Sequence, residues 1–280
     1  MVIGIIGLGL MGASFGRTAR KNGAKVYGFD LDGDVIKEAQ LIGAIDDELS
    51  AVNARESDLL VFAAYQKDFS SSVKRFLPLL KNGATVMDFC GNKRTIARDM
   101  KKLSEEFPEI NFVGGHPMAG REVSGINNSL PDLFAGASMV LAPIKADIGL
   151  LEEIKKYYLS LGFKEVVITT PENHDKNIAF TSQLCHIVSN AYIKSPTAEN
   201  HFGYSAGSYK DLTRVARLSP EMWTDLMTAN ADNLSKELDC LIENLKKYSA
   251  ALKNNDEKYL KELLAEGNDR KIKIDKGKIE

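Results

Sequence analysis

The chain has 280 residues, of which 26% are charged and 44% are hydrophobic, and its formal net charge is −2. This composition is typical of a globular protein, and the length allows two domains. The nearly balanced charge argues against a nucleic-acid partner, and no apolar run approaches the roughly 18 residues of a membrane helix, so we expect neither a nucleic-acid nor a membrane function.

The first part of the chain alternates apolar strands with amphipathic helices. The predicted strands cover residues 2–6, 25–30, 59–63, 85–88, 111–113, 138–142 and 165–169. The predicted helices cover residues 11–22, 35–41, 69–80, 95–107 and 148–161. This alternation predicts an α/β Rossmann-type domain with a mostly parallel sheet over residues 1–170.

The pattern changes to helices after Pro171, which predicts an all-α domain over residues 171–280. Helices are expected at residues 175–193, 208–216 and 220–254. The apolar stripe of the last helix needs a partner surface, and a second subunit would make this a dimerisation domain. The alternative is packing within the domain itself. The highly charged residues 261–280 are expected to fray.

A glycine-rich turn, GLGLMG at residues 7–12, follows the first predicted strand and opens the first helix. Gly7 permits a tight turn, Gly9 lets the backbone approach a pyrophosphate, and Gly12 lets helix and strand pack closely. Asp30 ends the second strand, where a carboxylate binds ribose hydroxyls and repels a 2′-phosphate, so the predicted cofactor is NAD. The predicted cofactor-binding residues are Gly7, Gly9, Leu10, Met11, Gly12 and Asp30.

A histidine follows the predicted strand at 111–113, in the run GHPMAGRE of residues 115–122. Histidine titrates near neutrality, and sheets of this kind bind ligands beyond the carboxyl ends of their strands. Together with the glycine turn, His116 indicates hydride transfer assisted by a general base. From the residues alone, a loop histidine that is merely hydrogen-bonded stays an alternative.

The remaining chemistry-bearing side chains give weaker signals. The three cysteines lie far apart and form no C-x-x-C pair, which argues against a disulfide framework and fits a reducing cytoplasm. No histidine pair has the spacing of a metal site, so no metal is predicted. We expect His174 to bond only backbone groups outside the active site, and His201 to be structural.

Several segments together resemble one known family. Besides the glycine turn and Asp30, the matching segments are residues 88–93, 115–122, 172–175, 182–186, 207–214 and 220–223. On these segments the chain resembles the prephenate/arogenate (cyclohexadienyl) dehydrogenase family over nearly its whole length, to about residue 252. The histidine–proline–methionine run at 116–118, followed by Lys-Asp-Leu-Thr-Arg at 210–214, is the most specific part.

The resemblance implies NAD-dependent oxidative decarboxylation of a small molecule, prephenate, to 4-hydroxyphenylpyruvate in tyrosine biosynthesis. His116 matches the family's catalytic histidine, and Arg214 matches its substrate-binding arginine. The predicted substrate-binding residues are Arg214, His186, Gly207, Glu122, Arg121 and Trp223. The predicted partner is a second copy of the chain, bound through the C-terminal helices, and the predicted location is the cytoplasm.

Two positions depart from the family's pattern. Many relatives have serine at Gly91, where the hydroxyl helps to hold the catalytic histidine or the substrate, so another group or a water must orient His116. Arg121 stands where several relatives have a small or neutral residue, and it is a candidate for binding a substrate carboxylate. Because arogenate carries an additional ammonium, this cation would disfavour arogenate relative to prephenate.

Other functions stay open on the residues alone. Arogenate dehydrogenase and dual-specificity cyclohexadienyl dehydrogenase share the same chemistry. A β-hydroxyacid dehydrogenase has a similar glycine turn, but its lysine–asparagine chemistry finds only the pair Lys176–Asn177, which lacks that family's spacing. A nucleotide-binding regulator would need neither His116 nor Arg214. Taken singly, Trp223 also fits a core anchor and His186 a core histidine.

Overall fold

The computed structural model describes residues 1–277, whose strands form one eight-stranded sheet. The strands are β1 (Val2–Ile6), β2 (Lys25–Phe29), β3 (Asp47–Glu48), β4 (Leu59–Phe62), β5 (Thr85–Asp88), β6 (Asn111–Pro117), β7 (Ser138–Lys145) and β8 (Glu165–Ile168). Their spatial order is β3-β2-β1-β4-β5-β6-β7-β8, and among these described strands only the β6–β7 pair is antiparallel. The predicted Rossmann-type, mostly parallel sheet is confirmed.

Helices connect the strands and fill the rest of the chain. They are α1 (Leu10–Lys21), α2 (Gly33–Leu41), α3 (Phe69–Lys74), α4 (Arg94–Glu106), α5 (Ile148–Ser160), α6 (Pro171–Ile178), α7 (Cys185–Tyr192), α8 (Gly207–Thr213), α9 (Pro220–Ala229), α10 (Ala231–Lys253) and α11 (Glu257–Lys276). Beyond residue 170 the described chain, up to residue 277, holds helices and turns but no strand. The predicted all-α C-terminal region is confirmed.

Alternate residues of the strands pack on opposite sides of the sheet, as the period-two geometry of a strand requires. Ile3 and Ile5 face one core together with Phe15 of α1 and Tyr158 of α5. A second core covers the other side, and its members include Leu60, Phe62, Phe69, Ile96, Met100 and Phe112. Helices on both faces leave the carboxyl edge of the sheet as the place where ligands bind.

Several predicted boundaries were wrong. The strand predicted at 111–113 continues to Pro117 because β7 pairs with it, so His116 lies inside β6 rather than after it. The helix predicted at 69–80 ends at Lys74, and Pro78 lies in a separate 3₁₀ turn. The helix predicted at 175–193 contains a π-helical segment, Ala179–Leu184, between α6 and α7.

The long helix predicted at 220–254 is two helices, because Asn230 ends α9 with a buried side chain that bonds to other parts of the chain. The prediction that residues 261–280 fray is wrong for the described part of this segment, since α11 runs to Lys276. Asp256 caps this helix, and Lys271 and Asp275 pair one turn apart. Residues 278–280 of that prediction lie outside the described residues.

The chain forms two compact units, Met1–Asn230 and the residues from Ala231 onward. In the second unit α10 and α11 pack as a hairpin, and the Tyr248 hydroxyl donates to the carbonyl oxygen of Leu263 at 3.2 Å. Leu245, Leu252 and Leu264 remain 56%, 62% and 57% exposed, so the unit leaves much of its apolar surface uncovered. The predicted division after residue 170 stays a prediction.

Within residues 1–277, none of the helices combines the length and the apolar character needed to cross a lipid bilayer.

Candidate active site

The glycine turn lies at the carboxyl edge of the sheet, between β1 and α1. Gly7 has a φ of +91°, which favours glycine, and a Cβ on Gly12 would lie 1.8 Å from the carbonyl oxygen of Gly7. The position of a Cβ on Gly9 has no atom within 4 Å. Backbone alone therefore forms the start of α1, which has no side-chain cap and leaves room for an anionic group.

Asp30 lies next to this turn at the end of β2. Its Oδ2 accepts from the Leu8 backbone N–H at 2.8 Å, and its Oδ1 accepts from the Asp32 N–H at 3.1 Å. The carboxylate is thus held beside the turn where a dinucleotide's ribose would follow the pyrophosphate. The turn and Asp30 together fit a dinucleotide without a 2′-phosphate.

His116 occupies the carboxyl edge two strands away from β4, near the end of β6. Pairing with Val140 of β7 fixes the backbone of His116, and the residue is part-buried. Its Nδ1 lies 2.9 Å from Nε2 of His174. Burial, together with the nearby His174 imidazole and the Lys93 ammonium, holds the pKa of His116 well below its ordinary value, so the His116 imidazole is neutral at neutral pH.

His174 joins His116 to a buried carboxylate. Its Nδ1 lies 2.7 Å from Oδ1 of Asp175, and the side chains of His174 and Asp175 are 1% and 0% exposed. The expectation that His174 bonds only backbone groups was wrong, because its ring contacts the side chains of His116 and Asp175. Thr170 caps α6, and this cap places His174 and Asp175 in the first two turns of that helix, facing inward.

Asp175 is also held by the start of α4. Its two carboxylate oxygens accept from the backbone N–H groups of Lys93 and Arg94 at 2.7 and 3.0 Å, and Arg94 Nε donates at 3.3 Å. Although burial opposes ionisation, the hydrogen bonds from His174, Lys93 and Arg94 hold the pKa of Asp175 below its ordinary value. The carboxylate is therefore ionised at neutral pH.

Lys93 forms a second buried pair, with Asp88 at the end of β5. The Lys93 ammonium donates to Asp88 Oδ2, and the two side chains are 1% and 0% exposed. Asp88 further accepts from the backbone N–H groups of Cys90 at 2.8 Å and Gly115 at 3.2 Å. This pair ties the loop after β5 to the residue before His116. Lys93 is thus buried rather than solvated, as paired burial of charge requires.

An amide network continues behind Asp175. Asn230 donates to the carbonyl oxygen of Asp175 and to Oε1 of Gln183, both at 2.8 Å. Gln183, which lies in the π-helical segment, donates to Oδ1 of Asn92 at 3.0 Å. Single-turn π segments inside helices are frequent at functional sites, and this one aims Gln183 at the network.

A more open group of side chains lies around Arg214. Its guanidinium pairs with Glu122, and the two side chains are 65% and 36% exposed. His186 stacks on Trp223 with ring centroids 3.8 Å apart, and its Nδ1 lies 3.0 Å from the Ser182 carbonyl oxygen. Burial lowers the pKa of His186, and the charges of Glu122 and Arg214 also act on it, so these predicted substrate-binding residues share one neighbourhood.

The other predicted residues lie at the surface. Arg121 donates through Nη1 to the carbonyl oxygen of Asn128 at 3.1 Å and is exposed, and Gly207 begins α8 in the open. At Gly91 a Cβ would lie 3.0 Å from a methyl group of Leu226, so this side chain takes the space that a serine would need. The group that contacts Nδ1 of His116 is His174.

Two family models match consecutive parts of the chain. The model described as the prephenate dehydrogenase nucleotide-binding domain matches residues 15–169, and the one described as the prephenate dehydrogenase dimerization domain matches residues 170–266. The chain belongs to the prephenate dehydrogenase family. The resemblance read from its segments is therefore confirmed.

Relatives of this family member match it over nearly its full length. It is 28% identical over 290 residues to the cyclohexadienyl dehydrogenase of Zymomonas mobilis, covering 97% of this chain and 95% of the relative. A crystal structure of prephenate dehydrogenase from A. aeolicus with hydroxyphenyl propionate and NAD+ is 29% identical, with a TM-score of 0.83 and 98% of each chain covered. A crystal structure of Synechocystis arogenate dehydrogenase is 26% identical, with a TM-score of 0.81, covering 98% of this chain and 100% of that one.

Proposed function

We propose that this prephenate dehydrogenase family member oxidises and decarboxylates prephenate to 4-hydroxyphenylpyruvate, with NAD+ as cofactor and His116 as the general base. The observation that carries the proposal is the exposed guanidinium of Arg214, which lies near His186 and pairs with Glu122. Glu122 follows His116 by six positions in the sequence. A base, with the partner of a carboxylate-binding arginine six positions further along the chain, suits an alcohol that also carries carboxylates.

The base is the first functional part of the proposed site. His116 is neutral at neutral pH because its pKa is lowered, so its free ring nitrogen accepts the proton of the substrate's hydroxyl group. The O–H electron pair becomes the second bond of a carbonyl group as hydride leaves the same carbon. NAD+, when bound, supplies the hydride acceptor. Loss of carbon dioxide then returns an electron pair to the ring, and His116 gives its proton back to the phenolic oxygen.

The binding group is the second functional part. Arg214 holds a carboxylate of prephenate in a planar fork, and the exposed Arg121 adds a second cation. His186 and Trp223 form an aromatic wall next to this fork. Because decarboxylation is driven by aromatisation, orientation and proton removal are the tasks left to these side chains.

The cofactor site is proposed at the glycine turn. Gly7, Gly9 and Gly12, with the backbone of Leu10 and Met11, would hold the pyrophosphate, and Asp30 would bind the adenosine ribose. The steric fit of the turn and the position of Asp30 support this assignment. The A. aeolicus relative was crystallised with NAD+, which supports the same cofactor here.

Further assignments belong to this proposal. The exposed leucines of α10 and α11 support a homodimer formed through the C-terminal helices, since an uncovered apolar surface of this kind marks an association site. Lys176 and Asn177, the pair that a β-hydroxyacid dehydrogenase would need, are both exposed, and the Asn177 side chain bonds back to Asn173 within α6. We place the enzyme in tyrosine biosynthesis in the cytoplasm.

Formation of NADH from prephenate and NAD+ tests the proposal, with arogenate and a 3-hydroxy acid as parallel substrates. We expect kcat/KM to be highest for prephenate, because Arg121 and Arg214 favour a side chain without an ammonium. A higher kcat/KM for arogenate would assign the arogenate reaction instead. Turnover of the 3-hydroxy acid alone, or NAD+ binding with no turnover of any of the three, would refute the proposed function.

A further inference from the structure

The contacts behind His116 form one chain of hydrogen-bonding groups. Asp175 Oδ1 lies 2.7 Å from His174 Nδ1, and His174 Nε2 lies 2.9 Å from His116 Nδ1. The two residues behind His116 are almost fully buried, whereas His116 itself is part-buried. Each contact joins two nitrogens or a nitrogen and an oxygen, so one partner in each must donate a proton.

The ionised carboxylate sets the direction of donation along this chain. Asp175 accepts from the backbone N–H groups of Lys93 and Arg94, which fixes it as an acceptor. His174 must then carry its proton on Nδ1, facing Asp175. Burial, which outweighs the contact with Asp175, lowers the pKa of His174, so the ring is neutral and its Nε2 bears a lone pair.

The direction of donation continues to His116. Since Nε2 of His174 is an acceptor, Nδ1 of His116 carries the proton and donates it to His174. The neutral His116 ring then has its lone pair on Nε2, the nitrogen not engaged by His174. Only in this tautomer can Nε2 of His116 accept a proton; in the other neutral tautomer Nε2 carries the proton and is a donor.

We infer that His174 and Asp175 are positioning residues that hold His116 in its Nδ1–H tautomer, so that Nε2 is the base. The inference rests on the proposed function only for its catalytic consequence. When Nε2 of His116 gains the hydroxyl proton, an N–H bond forms as the O–H bond breaks. The resulting imidazolium keeps its hydrogen bond to His174, and the Asp175 carboxylate offsets the new positive charge through it.

This assignment also accounts for Gly91. The family resemblance implies a serine at this position that helps to hold the histidine, whereas Leu226 lies 3.0 Å from the place of a Cβ on Gly91 here. His174 supplies a hydrogen bond to His116 that does not require residue 91. In serine proteases, kcat falls about 10⁴-fold when the catalytic histidine is held in the wrong tautomer. The tautomer of a catalytic histidine can therefore have a large effect on the rate.

A purely structural role is the rival explanation, because Asp175 ties α6 to the start of α4. A substitution of Asp175 would leave the N–H groups of Lys93 and Arg94 buried without their acceptor, and the protein could fail to fold. His174 separates the two roles better, since its side chain contacts only His116 and Asp175 among the polar groups described. The test therefore uses His174.

The decisive measurement needs no substrate. In the full-length wild-type protein with ¹⁵N-labelled histidine, long-range ¹H–¹⁵N NMR at pH 7.5 reports which ring nitrogen is protonated, and His116→Asn identifies the His116 signals. We expect the Nδ1–H tautomer for His116 and for His174. An Nε2–H tautomer of His116 in the wild-type protein would overturn the inference, whether or not prephenate is turned over.

Two variants then link the tautomer to the rate. His174→Phe keeps the ring volume and removes the acceptor, so we expect kcat to fall roughly 10²-fold with KM changed by less than about threefold. His174→Gln places an amide oxygen near the former Nε2, and we expect it to recover kcat to within about tenfold of wild type.

His201→Phe is the matched control, because the described contacts of His201 are with Phe202, Ser205 and Tyr209 rather than with His116, His174 or Asp175. We expect it to keep wild-type kcat. If His174→Phe keeps wild-type kcat, or if His174→Gln loses as much as His174→Phe while both unfold at the wild-type temperature, the positioning role is wrong. If His174→Phe does not fold, the NMR tautomer and His174→Gln decide.

Discussion

The chain behind His116 and the group around Arg214 differ most in their exposure to water. The His174 and Asp175 side chains are 1% and 0% exposed, whereas Arg214 and Glu122 are 65% and 36% exposed. In the first group every proton has a fixed partner, and a lost partner would leave a buried polar group unsatisfied at a cost of about 1–3 kcal/mol. An exposed ion pair contributes only about 0–1 kcal/mol, so Arg214 can exchange Glu122 for another carboxylate at a small cost in free energy.

This difference suggests a division of tasks. Buried, fully bonded groups hold one geometry, which suits a base that must meet its proton in the transition state. An open arginine keeps its charge available and adapts to an incoming carboxylate. Substitutions of the buried residues behind His116 should therefore change kcat, and substitutions in the exposed group around Arg214 should change KM. Each prediction below would sharpen or break that comparison.

The largest effect is expected for His116→Asn. Asparagine keeps a polar side chain but offers no comparable base, so kcat should fall by about 10²- to 10⁴-fold. The affinity for NAD+, measured by titration calorimetry, should stay near that of the wild type because the glycine turn and Asp30 are unchanged. A variant with near wild-type kcat would show that His116 is not the base.

A smaller effect, on a different constant, is expected for Arg214→Gln. Loss of a charge-assisted, two-pronged hydrogen bond costs about 1.5–3 kcal/mol, which corresponds to roughly a 10- to 150-fold rise in KM for prephenate. We expect kcat to change much less, because the guanidinium binds ground state and transition state alike. Steady-state kinetics check this, with Arg217→Gln as a control at an arginine outside the group. An unchanged KM would remove the assigned role.

The smallest effect concerns stability against pH. The pKa values of His116 and His174 are both lowered in the folded protein, so the unfolded chain takes up protons first, near pH 6.5. Stability is therefore full above that pH and declines as the pH falls through 6.5 towards the lower folded values. Thermal unfolding between pH 8 and 5.5 should show a falling Tm, with a weaker decline in His174→Phe. A Tm that rises as the pH falls would contradict neutral burial.

The sequence predicted the parts of the candidate site that lie in local patterns. The glycine turn, Asp30 and His116 each sit beside a strand end, and parallel pairing brings strand ends to one edge. His174 was missed because its partner lies 58 positions away along the chain, and only the folded sheet brings the two rings together. An acidic residue directly after a histidine, one turn into a capped helix, was the available signal.

The errors in the helices have the same origin. Asn230 interrupts an apolar stripe, yet its effect depends on Asp175 and Gln183, which accept its hydrogen bonds from another part of the chain. β6 extends through His116 because β7 returns antiparallel to it, which no local pattern in residues 111–117 indicates. The sequence likewise showed no sign of the buried Lys93–Asp88 pair, since a lysine after a strand end is usually solvated.

A crystal structure with NAD+ and 3-(4-hydroxyphenyl)propionate tests the central claim most directly. We predict that Nε2 of His116 lies about 3 Å from the phenolic oxygen while Nδ1 keeps its contact with His174, and that Arg214 binds the ligand's carboxylate. A structure in which the His116 ring faces away from the ligand, or binds it through Nδ1, would contradict the account.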